Sequence, residues 1–402
     1  MFNRQTILSI LAAGTLVLIT GCANSPNHDK WVNQAESRWL KARSDQMLQM
    51  AQKHFNAGDL NQTEAGIADA LQYDPLNPEL HLLAGRVALE RGQLERAYNR
   101  FQNSIDQNDK SSRAHYYQGV VLQRWQRYAD AYDRYTKAYE LEPDRVAYIM
   151  AMAEMLVALD KMDDALILLE DKARYFDQSA SIRGALGQLH MVRQEHEAAV
   201  MAFQDAVLLH PTDTGMKENL ATARMAAGQY TEAIMELEYL TNTEELKDRI
   251  DLKQALAAGY ANVGRLEEAR HMLYQVSRRY PRDAGVWIQL GEVCWRLEDY
   301  SATHLAATRA MAVAPVRPEG FLLAGLVMRK RGQTAQAVRM FEQASRCAPT
   351  SSDAHLLRGM TLQDVGEYEA AGDAYRSAMA VAPDDHRARR LLAGLESMAI
   401  AQ

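Results

Sequence analysis

Small residues recur along this chain at a fixed interval, and this is the strongest pattern among its hydrophobic and polar positions. Glycine or alanine returns every 34 residues, with a single interval of 36. Twelve residues after each of them stands another small residue, alanine or threonine, and four residues later a large, mostly apolar one. A spacing of four places two residues on the same face of an α-helix. The pattern therefore predicts a repeated pair of short helices that cross closely at the small residues.

The three series define positions 8, 20 and 24 of a repeating unit. Position 8 holds Ala51, Gly85, Gly119, Ala153, Gly187, Ala221, Ala257, Gly291, Gly325 and Gly359. Position 20 holds Thr63, Ala97, Ala131, Ala165, Ala199, Ala233, Ala269, Thr303, Ala337 and Ala371. Position 24 holds Ile67, Phe101, Tyr135, Leu169, Phe203, Leu237, Leu273, Phe341 and Tyr375, with Ala307 as the exception. The large residue is expected to fill the space beside the small ones.

Glycine and proline mark the predicted helix ends. Six units carry glycine at position 15, between the two helices, where it can adopt the positive φ of a helix C-terminus. Seven carry proline at position 32, where it ends the second helix and sets the turn into the next unit. The fold class is therefore all-α. The ten units are 44–77, 78–111, 112–145, 146–179, 180–213, 214–249, 250–283, 284–317, 318–351 and 352–385.

The joint pattern resembles the tetratricopeptide-repeat (TPR) family. The unit at 284–317 has a tryptophan at its fourth position, followed by Leu290, Gly291, Tyr300 and Pro315 in register. The resemblance covers residues 44–385 and implies a right-handed solenoid, a superhelix of helix-turn-helix repeats. It says almost nothing about function, because one fold can carry many functions.

Two further helices are predicted outside the repeats. Residues 31–43 place Trp31, Ala35 and Trp39 on one helix face, which we expect to cover the first unit. Contact of the two tryptophans with a membrane surface is the alternative. Residues 386–402 are predicted to form a last helix that caps the final unit, because the end of a solenoid otherwise exposes an apolar face.

The N-terminus has the features of a secretory signal. Within residues 1–21, Arg4 precedes an apolar stretch that is too short to span a bilayer. Residues 19–22 have the sequence ITGC, which resembles the bacterial lipobox. The resemblance implies cleavage before Cys22, lipid attachment to its sulfur, and a polar tether over residues 22–30. Ala23 after the cysteine implies the outer membrane, with the protein facing the periplasm.

Charge and motifs limit the classes of function. The formal net charge of −7 gives no basic surplus for sequence-independent binding of nucleic acid. No phosphate loop, nucleophile elbow or zinc-protease motif is present. His81, His115 and His355 all fall at position 4, which indicates packing residues. Cys294 and Cys347 are expected to be free thiols, with a disulfide as the alternative. We expect no catalysis, no cofactor and no metal.

A partner-binding surface is predicted on the first helices. In stacked helix pairs these helices line the concave side, and helical geometry places positions 2, 5, 9 and 12 there. We expect a peptide or amphipathic helix of a protein partner to bind this surface. The alternative is that the superhelix covers some of these positions by its own curvature. The predicted binding residues are Arg86, Arg113, Tyr116, Met150, Met191, Met225, Ile288, Trp295, Leu322, Leu326, Arg329, Leu356 and Met360.

The sequence thus favours a non-catalytic scaffold, anchored to the membrane of a bacterial envelope by its lipid. We expect it to assist assembly of an envelope complex of the pilus, secretin or exopolysaccharide-export type. A regulator that docks on a cell-wall enzyme is the alternative, and a structural spacer is a weaker one. The pattern leaves the oligomeric state open.

Overall fold

Helix pairs follow one another throughout the computed structural model, which describes residues 28–400. This range contains 21 helices and no strand. The helices are α1 His28–Asn56, α2 Leu60–Tyr73, α3 Pro78–Glu90, α4 Leu94–Gln107, α5 Ser112–Arg124, α6 Tyr128–Leu141, α7 Val146–Ala158, α8 Met162–Tyr175, α9 Ala180–Val192, α10 His196–Leu209, α11 Thr214–Ala226, α12 Tyr230–Asn242, α13 Ile250–Asn262, α14 Leu266–Arg279, α15 Ala284–Arg296, α16 Tyr300–Val313, α17 Pro318–Lys330, α18 Thr334–Cys347, α19 Asp353–Asp364, α20 Tyr368–Val381 and α21 His386–Ile400.

The helix starts follow the 34-residue frame. From α3 to α17, each odd-numbered helix begins at the first residue of a unit. The residue before it often caps the helix, since Asp213 and Asp283 each accept a hydrogen bond from the backbone three residues on, at 3.0 Å. Such caps satisfy amide groups that the first turn leaves without a partner. The two extra residues of the sixth unit lie in the connection 243–249 between α12 and α13.

In the five units that have glycine at position 8 and an aromatic ring at position 24, these two residues pack against each other. A Cβ added at Gly85 would lie 2.4 Å from the ring of Phe101, and one at Gly325 would lie 2.5 Å from Phe341. Where position 8 is alanine, position 24 is Leu or Ile instead of an aromatic ring. The glycine pairs are Gly85 with Phe101, Gly119 with Tyr135, Gly187 with Phe203, Gly325 with Phe341 and Gly359 with Tyr375. These contacts agree with the expectation that the large residue fills the space beside the small ones.

The eighth unit solves the same packing problem differently. Its position 24 is Ala307, which is too small to fill the space beside Gly291. Leu323, from the next unit, supplies the missing volume, because a Cβ on Gly291 would lie 2.8 Å from its Cδ1. The deviation seen in the sequence is therefore compensated by a neighbour in space.

All ten turns between paired helices use a positive φ at position 15. The six predicted glycines adopt it, for example Gly264 at 82°. Four other residues take the same conformation at 60–61°, namely Gln126, Asp160, Gln194 and Glu298. Side chains with a Cβ are strained in this region. The turn geometry is thus imposed by the helix pair even where the sequence gives no glycine.

Ring nitrogens at position 4 join consecutive units. Trp287 Nε1 donates to the carbonyl oxygen of Pro281 at 2.9 Å. His81 Nε2 lies 2.9 Å from the Pro75 carbonyl oxygen, and His115 Nε2 lies 3.0 Å from that of Asp109. Because a carbonyl oxygen can only accept, Nε2 carries the hydrogen in both histidines. Burial lowers the pKa of both side chains. These histidines therefore take the place of tryptophan at position 4, where each packs against its neighbours and donates one hydrogen bond.

The chain forms two compact bodies that divide after Leu186. In the first, buried clusters join α1 through α3, including Ala51, Ile67 and Leu80. In the second, the largest buried cluster covers helices α11 to α16, and another covers α19 to α21. Each core is thus a series of side-chain layers between neighbouring helix pairs.

The structure corrects the prediction for the N-terminal flank. Residues 31–43 are not a separate packing helix, because α1 runs without a break from His28 to Asn56 and includes the first helix of the first unit. Trp31 and Trp39 are 67% and 57% exposed. Trp39 contacts the edge of Tyr73 in that unit, and beyond this contact the two tryptophans do not cover it. They fail to do so because this part of α1 lies before the first helix pair.

The C-terminal helix packs against the last unit. Ala388 and Leu395 of α21 are buried with Tyr375 and Leu356, and Leu391 and Leu392 are half-buried beside them. Within residues 28–400, no helix is long and apolar enough to cross a membrane. The predicted signal peptide and Cys22 lie outside the described residues.

Candidate functional site

An open cavity of about 620 Å³ lies on the first helices of the eighth, ninth and tenth units. Helices α15, α17 and α19 line it, and α21 closes one end. Neighbouring first helices contact each other, α15 with α17 and α17 with α19, so their facing side chains make one surface. The apolar part of the lining is Trp295, Leu322, Leu323, Leu326, Leu356, Leu357, Met360 and Leu391. We call this cavity the C-terminal groove.

Five of the predicted binding residues meet in the C-terminal groove: Trp295, Leu322, Leu326, Leu356 and Met360. Four of them are half-buried, whereas Leu356 is 4% exposed. Leu356 therefore belongs to the core as well as to the groove. The arrangement leaves an apolar surface partly open to solvent, which is typical of sites that accept apolar side chains.

Two other predicted residues of this region do not contribute to the groove. Ile288 is 5% exposed, because α15 lies against both α13 and α17 and its position 5 is covered. This corrects the prediction of a partner-binding Ile288. Arg329 Nε donates to Asp364 Oδ2 at 2.6 Å and does not line the cavity. The alternative that the superhelix covers some of the predicted positions therefore applies to Ile288, at position 5 of the eighth unit.

Charged residues surround the apolar lining. Arg317 pairs with Glu319 at 2.7 Å, and Arg387 pairs with Asp353 at 2.7 Å. Glu292 has no such partner among the described residues, although it lines the groove beside them. Loss of surrounding water raises the pKa of Glu292, the nearby Glu319 carboxylate raises it further, and the charge of Arg317 lowers it. An unpaired carboxylate next to an apolar surface favours a cationic group on a ligand.

A smaller cavity of about 350 Å³ lies on the first helices of the first three units and brings Arg86 and Arg113 together. Both side chains already have partners within the chain. The Arg86 guanidinium lies 4.3 Å from the ring centre of Phe55, and Arg113 pairs with Glu79 at 2.6 Å. This cavity is thus more polar and more fully paired than the C-terminal groove.

Tyr116 packs in a cluster of tyrosine rings. Its ring centre lies 5.4 Å from those of Tyr117 and Tyr135, and 5.1 Å from that of Tyr148. Burial raises the pKa of Tyr116. Tyr116 is half-buried, so these rings cover part of its surface and leave the rest exposed.

The three predicted methionines belong to neither cavity. Met150, Met191 and Met225 are half-buried, and the last two pack against buried clusters of their own helix pairs. Flexible thioether side chains of this kind often fill irregular gaps. Their sequence positions were compatible with a binding surface, but their packing places them at the edge of the core.

The described residues contain no group of three or more His, Cys, Asp or Glu that could hold a metal ion. Cys294 and Cys347 are both free thiols. Burial raises the pKa of the Cys294 thiol to about 11. Cys347 is more accessible and donates weakly to the carbonyl oxygen of Pro315 at 3.5 Å.

Comparison with known proteins agrees with this repeat geometry. Models of the family described as tetratricopeptide repeat match residues 82–145, 185–242 and 328–395. Each matched stretch holds consecutive helix pairs of the kind described above. The chain therefore contains tetratricopeptide repeats. The C-terminal groove of this TPR protein lies on the first helices of its last repeats.

Several other proteins are similar to parts of this TPR protein. The DnaJ homolog subfamily C member 7 homolog of Schizosaccharomyces pombe is 26% identical over 192 residues, which cover 43% of this chain and 40% of that protein. The chain therefore spans about two fifths of that relative's length. Pseudomonas aeruginosa pilF is 16% identical, with 52% of this chain and 97% of that chain covered and a TM-score of 0.45. MamA protein is 17% identical, with 43% and 94% covered and a TM-score of 0.38.

Proposed function

We propose that this TPR protein is a non-catalytic scaffold that binds a segment of a protein partner in the C-terminal groove. The observation that carries the proposal is the groove itself, where Trp295, Leu322, Leu326 and Met360 form a partly exposed apolar surface. Its volume of about 620 Å³ is in the range of ligand sites and suits a few apolar side chains. TPR proteins in general bind proteins and are not enzymes.

The partner segment is an amphipathic helix or extended peptide. Its apolar side chains enter the groove between α15, α17 and α19, and its polar face stays in water. Glu292 favours a partner with a lysine or arginine at the edge of that apolar face, because the described chain supplies no ion pair to this carboxylate. Apolar contacts supply most of the affinity, and the charge supplies orientation.

The place of action in this proposal is the bacterial envelope. It is supported by the lipobox-like ITGC sequence, in which Cys22 is the lipid-bearing residue, and by the apolar stretch before it. The short polar tether keeps the repeats near the outer membrane on the periplasmic side. There the scaffold assists assembly of a complex of the pilus, secretin or exopolysaccharide-export type. Replacing Cys22 with Ser abolishes labelling by a fatty-acid analogue, and retained labelling would reject the anchor.

Site-specific crosslinking from the groove tests the binding proposal. A photoreactive amino acid at Leu326 should capture one discrete partner protein, which mass spectrometry identifies. The substitution Leu322→Asp should remove that crosslink, because it places a charge on the apolar lining. The matched control is Leu305→Asp, since Leu305 is 55% exposed on the second helix α16, away from the groove lining. Equal crosslinking in both variants, or none in the unaltered protein, would contradict the proposal.

A further inference from the structure

The N-terminal half of α1 is almost entirely exposed, although the edge of Trp39 contacts Tyr73 of the first repeat with 6.3 Å between ring centres. Every residue from Lys30 to Trp39 is exposed, and Ser44 is the first buried one. Helices in folded proteins owe most of their stability to the burial of one face. This segment continues a packed helix but buries no face of its own, although it carries large apolar side chains.

Those apolar side chains point away from the part of α1 that packs. The packed side of α1 includes Ala51, which is fully buried among the side chains of the first unit. At about 100° per residue, Trp31 lies about 160° around the helix from Ala51, and Trp39 lies about 120° from it. Trp31, Val32 and Trp39 are 67%, 47% and 57% exposed. The tryptophans therefore mark an outward face.

Basic residues surround this face in a chain that is acidic overall. Residues 30–43 contain four basic side chains, Lys30, Arg38, Lys41 and Arg43, and one acidic side chain, Glu36. The whole chain has a formal net charge of −7. The Arg43 guanidinium lies 5.7 Å from the Trp39 ring centre, which holds positive charge beside the indole. The local charge is thus opposite in sign to that of the protein.

We propose that this outward face of α1, defined by Trp31, Trp39 and the four basic residues, lies on the surface of an anionic phospholipid bilayer. Tryptophan prefers the boundary between headgroups and acyl chains, and lysine and arginine attract anionic headgroups. Helix α1 begins six residues after Cys22, so a lipid on that cysteine would hold the face at the membrane. The contact goes beyond partner binding in the groove and orients the repeats relative to the bilayer.

Vesicle sedimentation with a chain that begins at Ala23 tests the face without the lipid anchor. This chain retains every residue that the structure describes. It should bind vesicles of phosphatidylglycerol, with a blue shift of tryptophan emission, and bind phosphatidylcholine vesicles much less. The double substitution Trp31→Ser and Trp39→Ser should abolish binding. Lys41→Gln should weaken it about fivefold, from the known contribution of one basic residue near an anionic surface.

The matched control is Tyr175→Ser, which removes an aromatic ring that is 76% exposed in the fourth unit. It should leave vesicle binding unchanged. Unchanged circular dichroism would show that the tryptophan variants remain folded, and Trp31→Ser alone provides a milder variant. Absence of vesicle binding, or equal binding by the double variant, would overturn the proposal. So would a dimer, seen by light scattering, that forms through the tryptophans in place of vesicle binding.

Discussion

The size-matched contact between positions 8 and 24 predicts that Gly325→Ala destabilises the ninth repeat. An added Cβ would lie 2.5 Å from Cε1 of Phe341, which is fully buried and has no room to move. Ordinary carbon contacts are roughly 3.5–4.0 Å, so the overlap is about 1 Å. Overpacking of this kind costs up to about 3 kcal/mol. Alanine regains about 1 kcal/mol in a helix, which leaves a net loss of about 2 kcal/mol.

A second substitution should reverse the loss. Phe341→Leu combined with Gly325→Ala recreates the pair that Ala153 and Leu169 form elsewhere in the chain. The two changes should be coupled favourably by at least about 1 kcal/mol in a double-mutant cycle. The control is Gly394→Ala in α21, where an added Cβ meets nothing within 4 Å. It should stabilise by about 0.5–1 kcal/mol, because glycine is a poor helix former.

Urea unfolding followed by circular dichroism measures these effects. Long repeat arrays can lose two-state cooperativity, so hydrogen exchange in α17 and α18 provides a local free energy alongside the global one. The reasoning is refuted if Gly325→Ala is as stable as the unaltered protein, or if Phe341→Leu does not reduce its effect. A loss in Gly394→Ala as large as that in Gly325→Ala would show that steric overlap is not the cause.

Three further predictions concern turns, thiols and pH. Glu298→Gly should raise the free energy of unfolding by up to about 1 kcal/mol, because φ at this position is 60°; a loss in urea unfolding would contradict the turn strain. Iodoacetamide should alkylate Cys347 well before Cys294, whose burial raises its pKa to about 11, and equal rates by mass spectrometry would disprove this. Hydrogen bonds from Arg387 and Ser352 hold the pKa of Asp385 well below its usual range. Its stabilising effect is present above the unfolded pKa and is lost at lower pH, so hydrogen exchange in α21 should accelerate below about pH 4, and Asp385→Asn should remove that pH dependence.

Much of the repeat architecture was predictable because it depends on local, periodic signals. Gly264 and its equivalents mark the turns, and prolines such as Pro281 mark the ends of second helices. These residues act through their own backbone preferences, which do not require knowledge of distant partners. The same reasoning missed the positive φ at Glu298, since there the packed helix pair imposes a conformation that the residue itself disfavours.

The candidate site was predictable in part. Helical periodicity correctly placed Trp295, Leu322 and Met360 along one surface, because positions three to four residues apart share a face. It could not distinguish Ile288, which α13 and α17 cover, from residues that remain open. It also could not show that Tyr116 packs against rings from three helices.

The sequence by itself determined the all-α class, the 34-residue unit and the helix starts, because these follow from residue type and spacing along one chain. Only the tertiary structure decided which apolar residues are covered and which remain available. It assigned Leu323 to the space beside Gly291, and it left Trp31 and Trp39 largely exposed to solvent. The physical reason is that the burial of a residue depends on which other helices pack against it. Removal of apolar surface from water is favourable wherever in the sequence the covering residue lies.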